Sequence, residues 1–170
     1  MAKGQNVKLS MPSNKGFSVL ELVIAIAIVA ILASVALPSF IAWQRSHRLS
    51  GTATNLLADL EAAKMRAVRE NSFVAVVFSG DSYTIFVDNG AGGGVAGDWI
   101  RNGNEALVQQ RILPTGVNIP MADLTLVNKR VRFNGRGLPL DVGAAETIPV
   151  ENNIVRKNIS LTRLGNVRIQ

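Results

Sequence analysis

The spacing of apolar residues changes twice along the chain, and each change marks an element. From Leu22 to Trp43 no side chain is charged, and Leu22–Ala33 is apolar all round. As a helix these positions span roughly 33 Å, enough to cross a bilayer core of about 30 Å. Beyond Pro38 the pattern becomes one-sided: Leu49, Ala53, Leu56, Leu60, Ala63 and Ala67 recur at alternating steps of four and three, and Leu57 and Val68 widen the stripe. That period predicts an amphipathic helix. Its other face carries Asp59, Glu61, Lys64, Arg66 and Arg69, and Arg66 with Glu70 forms an i,i+4 pair. With no more than a kink at Pro38, one helix of roughly 80 Å runs from Phe17 to about Glu70. The stripe covers only about three heptads and holds alanines at three places, so this stem is expected to pack on the chain's own sheet rather than in a coiled coil.

After Asn71 the period becomes extended. Phe73–Phe78 and Ser82–Val87 flank Ser79-Gly80-Asp81, a strong hairpin signal. Further strand candidates are Leu107–Ile112, Leu124–Val127, Arg130–Phe133, Ile159–Leu164 and Val167–Ile169. An α+β architecture follows, with one long N-terminal helix packed by its C-terminal half on an antiparallel sheet or two small sheets.

Composition narrows the chemistry. The 170 residues contain no cysteine, which excludes a disulfide framework, a cysteine zinc site and thiol catalysis. The lone histidine, His47, sits between arginines and reads as solvated. The net charge is +6, but Lys3, Lys8 and Lys15 lie within residues 1–16, which hold no acid. Without that segment the remainder is only mildly basic. Gly92-Gly93-Gly94-Val95-Ala96-Gly97 has the spacing of a dinucleotide-binding loop, yet Asp98-Trp99-Ile100-Arg101-Asn102-Gly103 starts no helix, so a flexible hairpin loop is the better reading. No nucleophile–base set, carboxylate pair or metal spacing appears elsewhere, and neither an enzyme nor a cofactor is expected.

Glu21 is the anomaly at the membrane segment, because a carboxylate near the start of an apolar helix is costly unless paired. Either it sits in the headgroup layer near a helix N-terminus, or it finds a cation. The hexapeptide Gly16-Phe17-Ser18-Val19-Leu20-Glu21, the apolar run behind it and Pro38 closely resemble the type IV prepilin signature. In such proteins the polar leader, here residues 1–16, precedes the apolar stretch, so cleavage leaves the anchor on the mature chain. The resemblance implies that a prepilin peptidase cuts between Gly16 and Phe17 and that Phe17 is then N-methylated. It implies that Glu21 guides assembly against the N-terminus of a neighbouring pilin subunit, and that Pro38 kinks or loosens the helix. Cleavage supplies the missing cation, since Phe17 gains a positive amine one helical turn before Glu21.

The order of later pieces, Leu113-Pro114-Thr115-Gly116-Val117, then Phe133-Asn134-Gly135-Arg136-Gly137, then a terminal strand with Gly165 and Arg168, also resembles the FimT/GspH group of minor pilins and pseudopilins. The implied organisation is a leader at 1–16, a transmembrane and assembly half at 17–43, an amphipathic half at 44–71 and an antiparallel β domain at 72–170, together a pilin fold. The implied setting is the bacterial inner membrane, crossed once, with the globular domain in the periplasm or outside. The implied partners are the peptidase, other pilins or pseudopilins and an inner-membrane assembly platform, in a type IV pilus or a type II secretion system.

From residue 156 onward there are four cations, Arg156, Lys157, Arg163 and Arg168, and no acid. A two-residue Gly165-Asn166 loop would set Arg163 directly opposite Arg168, an arrangement that calls for an anion between them. Some FimT-like minor pilins take up DNA through a C-terminal Gly-Arg-x-Arg; here Gly165-Asn166-Val167-Arg168 lacks the first arginine. DNA is therefore a candidate partner of this patch, against solvated arginines on a hairpin.

Overall fold

The computed structural model describes residues 16–170. They divide after Phe40 into two units. Helix α1, Val19–Glu70, is continuous through both, and Pro38 lies inside it without ending it. The start is set by Ser18, whose Oγ accepts the Leu20 amide at 3.2 Å while its carbonyl accepts that of Leu22. Those are the bonds of an N-cap serine. In the first unit the helix is exposed at nearly every position among the described residues, a large apolar surface of the kind that marks a membrane or protein interface.

The second unit, from Ile41 onward, holds the other half of α1 and two antiparallel sheets. The first sheet has the order β3-β2-β1-β4-β5, where β1 is Val74–Phe78, β2 Ser82–Val87, β3 Leu107–Ile112, β4 Arg130–Phe133 and β5 Pro139–Leu140. The second has the order β6-β7-β8, with β6 Ala145–Glu151, β7 Arg156–Thr162 and β8 Val167–Ile169. One core joins them. Leu49, Ala53, Leu56, Leu60, Ala63 and Ala67 of α1 meet Val74, Val76, Ile85, Val131 and Phe133 of the first sheet and Ile148, Val150, Ile159 and Leu161 of the second. The predicted stripe is thus buried position by position, except for the two residues that widen it: Leu57 is half-buried and Val68 is 45% exposed.

The hairpin β1–β2 forms as predicted, with Phe78 opposite Tyr83. Three other readings are corrected. Leu124–Val127 is not a strand: Leu124 and Leu126 plug the core from a turn that leads into a short 3-10 turn at Val127–Lys129. The segment expected to extend to Leu164 ends at Thr162. And β6, with Pro149 in its middle, had no sequence signal. Pro149 is tolerated because β6 is an edge strand, needing ladder bonds on one side only.

A half-buried ion pair fastens the helix to the first sheet. Asp59 accepts the Tyr83 hydroxyl at 2.6 Å and two Arg111 donors, at 2.8 and 3.3 Å. Burial, then the hydrogen bond and charge of Asp59, push the Tyr83 phenol far above its ordinary value near 10. A raised folded-state pKa means that stability is intact below about pH 10 and falls as the pH rises beyond it. Denaturant midpoints between pH 8 and pH 11.5 should therefore drop steeply for the natural chain and less for Tyr83→Phe.

The face of the first sheet turned away from α1 is covered by the long connection between β2 and β3. Ala75, Phe86 and Arg132 are cross-strand neighbours there. Trp99 lies against the guanidinium of Arg132 at 4.4 Å and that of Arg130 at 4.5 Å. This is the glycine-rich segment, and it is fastened rather than loose. Buried Asp88 accepts the amides of Gly97 and Trp99, and buried Glu105 accepts those of Gly90 and Asn102.

Candidate functional sites

At the N-terminal site the geometry follows from the cap. Ser18 stands at the N-cap, so Phe17 precedes the helix, 81% exposed, and Glu21 falls in its first turn. The spacing Ser18 to Glu21 is that of a capping box, but Ser18 Oγ takes the Leu20 amide rather than that of Glu21, so the serine caps the helix without closing the box. Among the described residues no cation lies within ion-pair distance of Glu21. Gly16 is exposed with open space around it. The leader, apart from Gly16, lies outside the described residues. Pro38 removes the amide that would bond the carbonyl of Ser34, while the Ser34 hydroxyl bonds Ile31 at 2.7 Å.

The C-terminal cations are divided by the strand register. Ser160, not Arg163, stands opposite Arg168, and Leu161 pairs with Val167. The connection is longer than two residues: the Thr162 amide bonds the Asn166 carbonyl, and the Gly165 amide bonds that of Thr162. Arg163 therefore sits in the turn. Arg156 is not free either, because its guanidinium meets Glu151 at 2.6 Å and Asp123 at 2.7 Å. Both acids come from before residue 156 in sequence, which is why the local count missed them. Lys157 shares the alternation of buried Ile159 and Leu161, on the face opposite Arg168. The four cations do not form one patch, and exposed Arg163 and Arg168 are what remains.

The structure adds a neighbour to them. Gly137 and Gly165, both buried with φ of 74° and 76°, bring two turns together over Lys64 of α1. Lys64 Nζ donates to the Gly165 carbonyl at 2.8 Å, and a Cβ at Gly165 would stand 2.8 Å from the Gly137 carbonyl oxygen. The turn at Asn134–Gly137 carries exposed Arg136 beside the Arg163 turn. Its only trace in the sequence was the Gly-Arg-Gly run.

A long N-terminal helix whose apolar first half is uncovered and whose second half lies beneath two antiparallel sheets is the pilin architecture. The family model described as type II transport protein GspH matches residues 52–165, and that of the prokaryotic N-terminal methylation motif matches residues 11–37. The chain belongs to the GspH family of type IV pilin-like minor pilins and pseudopilins. Among curated proteins it is similar to the type IV major pilin protein PilA of Myxococcus xanthus (strain DK1622), 45% identical over 53 residues. That match takes in 31% of this chain and 24% of the relative, so the chain spans about a quarter of that protein's length. Among solved structures, the type IV minor pilin FimU of Pseudomonas aeruginosa shares the fold with a TM-score of 0.55 at 15% identity, over 75% of this chain and 92% of that one. The minor pseudopilin EpsH from the type 2 secretion system of Vibrio cholerae does so with a TM-score of 0.54 at 14% identity, over 72% and 96%. Proteins of these families are structural filament subunits.

Proposed function

We propose that the chain is made as a precursor, cut after Gly16 by a prepilin peptidase, methylated at Phe17 and drawn from the inner membrane into a filament, as a minor subunit of a type IV pilus or a type II secretion pseudopilus. The observation that carries this reading is the hexapeptide Gly16–Glu21 placed at the very start of α1, directly before its apolar half. The leader's lysines hold the N-terminal side in the cytoplasm, and the globular unit then emerges in the periplasm. An assembly platform in the inner membrane and neighbouring pilins are the partners. Co-expression with the peptidase tests the boundary: the natural precursor should shorten by its leader, and Gly16→Leu should stay full length on a gel. Normal cleavage of Gly16→Leu refutes the site.

A second reading is favoured by exposed Arg163 and Arg168, which meet no carboxylate among the described residues, and by exposed Arg136 on the turn packed against that of Arg163. Displayed on a filament, these arginines would bind the phosphate backbone of DNA during uptake. Such binding is weak and falls with salt. Titration of duplex DNA at low salt should show binding in the natural chain and a loss of about tenfold or more in Arg163→Ala/Arg168→Ala, as expected when two phosphate contacts go.

A further inference from the structure

The turn at Thr115–Val117 and the corner at Asn152–Asn153 take no part in the sites above, yet with Arg45 and Arg48 of α1 they line a cavity of about 230 Å³. At about 30 Å³ per water, that is the volume of several waters, enough for a phosphodiester headgroup. The walls are fixed in advance. Asn152 donates to the Arg45 carbonyl at 3.1 Å, and its oxygen accepts the amides of Ile154 and Val155 at 2.9 and 2.7 Å. The Val117 amide closes its turn on the Pro114 carbonyl, and Asn118 and Glu151 exchange backbone bonds of 2.9 Å that tie the two walls together. Gly116, at φ 84°, provides the turn that a larger residue would strain.

Among the described residues neither Arg45 nor Arg48 has a carboxylate at ion-pair distance, so two arginines line this cavity without a counterion. Forked donors of that kind suit phosphate. Their depth selects which phosphate. Trp43 stands two residues before the first charge after the apolar run, and Arg45 and Arg48 follow it by roughly 3 and 7.5 Å along a helix axis. The headgroup layer outside the hydrocarbon core is about 5–8 Å thick on each side. Tryptophan at the boundary followed by arginines is the arrangement that anchors a span at that layer.

We propose that Arg45 and Arg48, with the Thr115–Val117 turn and the Asn152–Asn153 corner, form a binding site for the phosphate of an anionic phospholipid in the leaflet from which the globular unit emerges. The inference rests on membrane anchorage and not on cleavage or filament entry. Lipid occupancy would hold a waiting subunit at a fixed depth and orientation.

The test uses the full chain in neutral-detergent micelles, titrated with short-chain phosphatidylglycerol, short-chain phosphatidylcholine and inorganic phosphate, and read by the amide shifts of Thr115, Gly116 and Asn153. Saturable shifts are expected with phosphatidylglycerol, with at least tenfold weaker binding of the other two. Arg45→Gln/Arg48→Gln should weaken phosphatidylglycerol binding tenfold or more without moving the melting temperature, while Arg45→Lys/Arg48→Lys retains part of it. Equal binding of all three ligands, or unchanged binding by the double glutamine variant, overturns the proposal. Shifts that follow protein concentration and ignore lipid assign the cavity to a second copy and also overturn it. Because neither peptidase nor filament enters the measurement, failure of the processing reading leaves this result intact.

Discussion

Asp88→Ala should unfold the globular unit at a temperature lower by roughly 10–20 °C, the shift that about 3–5 kcal/mol gives in a domain of this size. Asp88 has no exposed surface, and its carboxylate does three things at once. It accepts the Gly97 amide at 2.6 Å and the Trp99 amide at 3.2 Å, and it faces Arg132 Nη1 at 3.4 Å. Alanine would leave two half-buried amides without their acceptor, and a mostly buried guanidinium without its counter-charge and with only the Gly97 carbonyl to bond. The loss would spread beyond the loop, because Trp99 is held over Arg132, which stands on β4 directly beside Ala75 of β1. Asp88→Asn keeps an oxygen for one amide and should cost roughly half as much. Thermal melts of the three chains, followed by tryptophan fluorescence, decide it: a change under about 3 °C in Asp88→Ala would show that the loop is not fastened to the sheet through this carboxylate.

Glu21→Ala should leave cleavage after Gly16 normal and reduce incorporation into filaments about a hundredfold. In the proposed pathway the amine released on Phe17 is the counterion of Glu21 on a neighbouring subunit. A carboxylate left unpaired inside a membrane helix costs on the order of 3 kcal/mol, and the pairing that removes this cost favours docking by a similar amount. At 1.4 kcal/mol for each factor of ten, the docking equilibrium shifts by about two orders of magnitude. The competing role, a capping-box glutamate at the N-terminus of α1, predicts something smaller: loss of a few tenths to about 1 kcal/mol of helix stability and near-normal assembly. Quantifying sheared filaments against the cleaved membrane pool separates the two. Glu21→Gln sharpens the comparison, since glutamine retains the capping geometry but carries no charge.

The seven-residue strand β6 and the C-terminal cations show where sequence reading stops. Periodicity locates an element when its neighbours impose a single pattern. Ala145–Glu151 lies at a sheet edge, its outer positions exposed or half-buried and its inner ones filled by Ile148, Pro149 and Val150, so neither alternation nor a long apolar run was visible. The C-terminal arginines were countable, but their company was not. Asp123 and Glu151 reach Arg156 only because the turn at Asp123 and the β6–β7 hairpin fold back to it. A difference of a few residues in the last turn then removed the pairing of Arg163 with Arg168.

What the sequence determined by itself was the helix and the order of its parts: an uncharged stretch long enough for a bilayer, a hexapeptide with glutamate ahead of it, and a stripe from Leu49 to Ala67 that had to be buried. These are properties of a local repeat of 3.6 residues and of side-chain solubility, and they need no partner to be read. Only the tertiary structure decided which charges remain available. Asp88 and Glu105 were consumed by loop amides, Asp59 by Tyr83 and Arg111, and Arg156 by Asp123 and by Glu151 across a hairpin, while Arg45, Arg48, Arg136, Arg163 and Arg168 were left without carboxylates among the described residues. The reason is that a charge is neutralised within a few ångströms of space, and spatial neighbours across a sheet or a turn are separated by tens of residues along the chain.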